Sequence, residues 1–206
     1  YTVEEFKEML LSYKDISNDE LKNNFSEFLK EIMPVAEENN IKMALHPDDP
    51  PISLFGLPRI VSNLKDYQFV LDQYKSYNNG ITFCTGSLAS NINNNIYEMF
   101  NNFKDKIHFI HLRNIKIEND NISFIESDHL EGDVNFVKII RMILEEEKIR
   151  KQNIEDYEIP MRPDHGHCLL DDQNKKLNPG YSCIGRMKGL AEIRGIIKAI
   201  KSSNLN

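Results

Sequence analysis

Ile107-His108-Phe109-Ile110 is a short apolar run that ends at His111, and a helical pattern at about 92–104 leads directly into it. A run of this length, rich in branched and aromatic residues, reads as a strand. Working outward, the same unit recurs. Ile41-Lys42-Met43-Ala44-Leu45 is an apolar strand that ends at His46, fed by a helix that begins at Asn18 and closes at Asn39-Asn40. Pro34 is expected to kink that helix or to end its first segment. A helix at about 62–77 leads through Asn78-Asn79-Gly80 into Ile81-Thr82-Phe83, which ends at Cys84. Beyond His111, the polar stretch 117–126 reads as a small hairpin turning at Asn119-Asp120-Asn121, and Asp133 is expected to cap a helix running to about 147. A strand at about 157–161 then delivers Arg162-Pro163-Asp164-His165, and a final helix covers about 185–201.

Strands separated by helices of ten or more residues imply right-handed parallel βαβ units. The expected fold class is α/β of the (β/α)8 TIM-barrel type, with this chain supplying about the C-terminal four βα units as a single catalytic domain over 1–206. In such barrels the chemistry sits at the C-terminal ends of the strands. All four strands here end in a residue able to hold a metal or carry a charge: His46, Cys84, His111 and Asp164. One strand-end histidine is ordinarily structural, and one cysteine is ordinarily a small buried apolar group. Four in register point to a metal site. Two imidazoles, a thiolate and a carboxylate suit a divalent transition metal better than calcium or magnesium; zinc, manganese and ferrous iron all fit.

Further residues surround this set. His46-Pro47-Asp48-Asp49-Pro50-Pro51 is a stiff loop, because each proline restricts the residue before it. Arg113 is placed to bind a carboxylate in bidentate fashion, with a surface ion pair as the plain alternative. Glu126-Ser127-Asp128-His129-Leu130-Glu131-Gly132-Asp133 is too polar for core, and His129 either serves the site or caps a loop. Met161-Arg162-Pro163-Asp164-His165-Gly166-His167 is the densest polar segment. Asn178-Pro179-Gly180-Tyr181-Ser182 forms a turn that exposes Tyr181, and Gly185-Arg186-Met187 opens the last helix with N–H groups able to receive an anion. The asparagine runs read as loop and helix-surface filler.

A formal net charge of −7 argues against nucleic acid, which needs a clustered basic surface. No apolar stretch reaches the ~18 residues that cross a bilayer, so no membrane contact is expected. Three cysteines at irregular spacing suggest reduced thiols and a cytoplasmic protein. The chain opens at Tyr1, without a methionine or a signal peptide, and reads as a piece of something longer. Half a barrel leaves open sheet edges, so pairing with another chain, as a homo-oligomer, is expected.

The quoted motifs, together with Cys84-Thr85-Gly86-Ser87 and His111-Leu112-Arg113-Asn114, resemble those of the mannonate dehydratases, in the same order, from about 25 to 195. The resemblance implies a xylose-isomerase-like barrel and removal of water from D-mannonate to give 2-keto-3-deoxy-D-gluconate in hexuronate catabolism, with Mn²⁺ or Fe²⁺ as cofactor. It implies His46, Cys84, His111 and Asp164 as metal ligands, and acid–base or substrate-binding roles for Arg162, His165 and Tyr181. Family members are typically well over 300 residues long, and the first half of their barrel has no counterpart here. Alternatives are a sugar isomerase on the same barrel, which would need more strand-end acids, and an inactive metal-binding fragment.

Overall fold

The computed structural model describes residues 1–153 and 157–203. Helix α1 (Val3–Leu11) begins with a reciprocal cap between Thr2 and Glu5. Helix α2 (Asn18–Glu38), capped by Ser17, continues past Pro34. The proline therefore does not end a segment. The buried residues Leu29, Met33 and Ala36 lie on both sides of it and pack with Phe25, Ile32, Met43 and Tyr74, which holds the helix together across the missing N–H.

Strand β1 (Met43–Leu45) follows, then α3 (Leu64–Gln73), β2 (Asn79–Cys84), α4 (Thr85–Ala89), α5 (Ile96–Phe103) and β3 (Ile107–His111). β4 (Ile115–Ile117) and β5 (Phe124–Glu126) pair antiparallel as the expected hairpin. Helix α6 (Phe136–Arg150), β6 (Met161–Arg162) and α7 (Cys183–Ser203) complete the order. Among the described residues, β1, β2, β3 and β6 form one all-parallel sheet in that sequence. This is the expected architecture, a partial TIM-barrel-like α/β fold. Apolar residues of the sheet, Ile81, Phe83, Ile107 and Ile110, are fully buried in one core with Met99, Phe100, Ile139 and Ile193 of the helices.

Several local expectations are corrected. Asp133 does not cap α6; Asn135 does, accepting the Lys138 N–H at 3.0 Å, while Asp133 accepts the Ile117 N–H at the hairpin. Asn94 and Asn95 are not filler. Asn95 caps α5, and Asn94 donates to the carbonyls of Ser62 and Leu88, tying the β1–α3 loop to α4. Between Ile81 and Thr82 the register to β3 slips by one residue, so His108 is the extra residue of a bulge. Its ring occupies the space a side chain at Gly80 would need.

Helix α7 is fixed at its start by Asp172. The carboxylate accepts the Ser182 hydroxyl and the Ile184 N–H, each at 2.8 Å, and pairs with Lys175. The Gly185 N–H donates to the Ser182 hydroxyl. The helix start is thus served from within, which corrects the expectation that Gly185-Arg186-Met187 would receive an outside anion. Lys175, then Ile184 and Ser182, hold the Asp172 carboxyl well below its ordinary 3.8. A depressed folded-state value stabilises the protein above the unfolded value and is lost as pH falls. Urea midpoints should therefore decline as pH drops below 3.8. In Asp172→Asn the midpoint should start lower at neutral pH and decline less over that range; parallel curves would refute the assignment.

Candidate metal centre

Cys84 and His111 are direct neighbours across the β2–β3 ladder, and Arg162 is the next partner of His111 on β6. His46 follows β1, and Asp164 lies two residues past the end of β6. The four predicted ligands therefore leave the same end of four adjacent strands. One ligand atom from each of His46, Cys84 and His111 lies within 4.8 Å of the others. His46 Nε2 is 3.1 Å from His111 Nδ1. Asp164 Oδ2 joins them, 3.5 Å from His111 Nδ1 and 3.9 Å from Cys84 Sγ. Asp164 has a left-handed backbone (φ 62°), a conformation aspartate tolerates better than most residues.

The surroundings suit metal ligands. Burial pushes the His111 imidazole down to about 4, although Asp164 pulls the other way, so the ring is a neutral donor near pH 7. Burial pushes the Cys84 thiol up to about 11 against the Ser87 hydroxyl and N–H, which both point at the sulfur. A nearby cation reverses that balance, since a coordinating thiol is deprotonated. His46 Nδ1 is 2.7 Å from the Pro47 carbonyl, which orients the ring so that Nε2 faces His111. Two imidazole nitrogens 3.1 Å apart, a thiol and a buried carboxylate make a compact set of donors at one point. The donor set fits a divalent transition metal.

The predicted acid–base residues gather beside it. His165 Nδ1 is 2.9 Å from Glu126 Oε1, and its Nε2 is 3.9 Å from Asp164 Oδ2. Tyr181 packs edge-on against His165, with ring centroids 5.3 Å apart, and remains partly exposed. Gly180 (φ 80°) forms the turn that brings it there. Arg162 donates to Asp164 Oδ1 at 2.6 Å from a half-exposed side chain.

Arg113 is bidentate, as its chemistry suggested, but toward internal carboxylates. It is buried, its Nε and Nη2 grip Glu126, and its Nη1 donates to Asp49 at 2.7 Å. A surface ion pair is excluded. Burial alone would lift the Glu126 carboxyl, but hydrogen bonds from His165 and Arg113 outweigh it and hold the group below its usual range. His129 is a structural residue: it is buried, with Nε2 2.7 Å from the Pro163 carbonyl, so it braces the strand end that carries Asp164. Glu126 and Asp49 were not singled out from sequence. The clues available were a run too polar for core around Glu126 and a stiff proline loop around Asp49.

A family model described as D-mannonate dehydratase (UxuA) matches residues 1–206. Mannonate dehydratase 2 of Agrobacterium fabrum is 47% identical over 193 residues, covering 94% of this chain and 48% of that protein. Mannonate dehydratase of Chromohalobacter salexigens is 46% identical over 201 residues, covering 98% of this chain and 51% of its own length. The crystal structure of mannonate dehydratase from Streptococcus suis serotype2 matches with a TM-score of 0.86 at 33% identity, over 98% of this chain and 56% of that one. The chain spans about half the length of the curated relatives it matches. With strand-end chemistry, topology and sequence in agreement, the chain belongs to the D-mannonate dehydratase family.

Proposed function

We propose that this chain carries the metal-dependent dehydration centre for D-mannonate, giving 2-keto-3-deoxy-D-gluconate in hexuronate catabolism. The observation that carries the reading is the convergence of His46, Cys84 and His111, with Asp164 beside them, at the ends of adjacent parallel strands in a member of this family. His46, Cys84, His111 and Asp164 would hold Mn²⁺ or Fe²⁺, and the bound ion supplies Lewis-acid polarisation of the substrate carboxylate and a neighbouring hydroxyl. His165 takes the proton from the carbon next to the carboxylate. Its Nε2 is the ring nitrogen turned away from Glu126. Tyr181, against the same ring, supplies the proton with which the hydroxyl on the next carbon leaves as water. The enol that remains tautomerises to the ketone. Arg162, half exposed at the edge of the site, offers its remaining N–H groups to the substrate carboxylate.

The whole of 1–206 is read as part of one catalytic domain that works as a homo-oligomer in the cytoplasm. No described helix is long and apolar enough to cross a membrane, and all three cysteines are free, which supports a reducing compartment. The isomerase alternative finds no support, since the relatives named above are mannonate dehydratases. The test is formation of the 2-keto-3-deoxy acid from D-mannonate, with added Mn²⁺ or Fe²⁺, by this chain and by any longer polypeptide containing it. Metal-dependent product is expected. A metal-loaded protein that turns over an aldose but leaves D-mannonate untouched would overturn the reading.

A further inference from the structure

We propose that Glu126 is a positioning residue that fixes the tautomer and ring orientation of His165, and that Arg113 and Asp49 form the brace behind it. The proposal rests on the reading of His165 as an acid–base group. Glu126 sits at the end of β5, on the return strand of the hairpin, and its Oε1 meets His165 Nδ1 at 2.9 Å. An ionised carboxylate only accepts hydrogen bonds, so Nδ1 must carry the proton in this pair. That leaves Nε2 as the nitrogen free to exchange a proton on the side of Asp164, 3.9 Å away. Without such a partner, a neutral imidazole in water favours the opposite tautomer, with the proton on Nε2.

The carboxylate is itself held. Arg113 grips Glu126 through Nε and Nη2, and its Nη1 donates to Asp49 at 2.7 Å and to Ser87 Oγ at 3.3 Å. Ser87 Oγ in turn lies 3.0 Å from Cys84 Sγ. The stem of Arg113 lies against Gly86, where no side chain would fit. Asp49 comes from the loop after β1, Arg113 from the segment after β3, and Glu126 from β5. One buried guanidinium therefore sets the spacing of three separate segments and delivers the result to a single ring nitrogen.

The test is the protonation pattern of the His165 ring, read from its two ¹⁵N shifts in histidine-labelled, metal-free protein at a pH where the ring is neutral, with His165→Gln providing the assignment. The wild type should show the proton on Nδ1. Glu126→Gln, whose amide oxygen still accepts from Nδ1, should keep that pattern, and Glu126→Ala should move the proton toward Nε2. A wild-type ring protonated on Nε2, or an alanine variant with an unchanged pattern, would overturn the proposal. The wild-type and glutamine spectra decide it even if the alanine variant fails to fold. In the dehydration assay, kcat of Glu126→Ala should fall roughly 10²-fold with KM little changed, the size of a lost proton-transfer group, and glutamine should restore part of it. Loss of dehydration in the wild type would count against the functional reading alone, because the tautomer is measured without substrate.

Discussion

Replacing Cys84 or His111 by alanine is expected to lower affinity for Mn²⁺ or Fe²⁺ by more than about 100-fold, since loss of outer partners alone costs 10–100-fold. The two residues face each other on one rung of a parallel ladder, so neither can be replaced by a donor swinging in from elsewhere without breaking the sheet. Metal content after desalting, measured by elemental analysis, should fall from near one ion per chain to a small fraction of that. Dehydration should fall with it. Cys168→Ala is the control, because that thiol is exposed and belongs to none of the geometry described. Full occupancy in either ligand variant would remove it from the ligand set.

Arg113→Met should be the most destabilising single change near the site, at about 2–4 kcal/mol. Breaking a buried ion pair costs roughly 3–5 kcal/mol, because the partner charge is left without compensation. The lower figure reflects carboxylates that keep about a third of their surface in water: Glu126 is 30% and Asp49 36% exposed at the side chain. The sign of the pH dependence follows from Glu126. Its carboxyl is held below its ordinary 4.5 in the folded protein, so its contribution is present above that value and lost as pH falls. The deficit of the methionine variant, measured as a urea midpoint against wild type, should be largest near pH 7 and should narrow below pH 4.5. A deficit independent of pH would mean that the lost packing against Gly86 dominates.

The strands and their terminal residues could be read from the sequence because both signals are local. An apolar run of three to five residues following a helix defines the strand, and the residue that breaks the run marks the strand's end. His46, Cys84 and His111 all declare themselves in this way. Asp164 was legible from the density of charge around it, although its own strand is only Met161–Arg162. What escaped is what depends on the chain returning. Glu126 reaches His165 only because β5 folds back on β4, a separation of 39 residues. Arg113 shows its type but not its partners, which lie 64 residues before it and 13 after. The choice between Asp133 and Asn135 as the α6 cap turned on which one the hairpin already used. The bulge at His108 depends on the missing side chain of Gly80 on a different strand.

The sheet order has a bearing on how this centre is built. Cys84 and His111 stand on strands bonded on both sides, whereas His46 and Asp164 follow strands with one neighbour each among the described residues. The inner pair is therefore set by the spacing of the ladder itself, whereas the outer pair is set by the loops that follow β1 and β6. Over evolutionary time the same division lets the flanking loops drift and retune the outer donors around an inner pair that the backbone keeps constant.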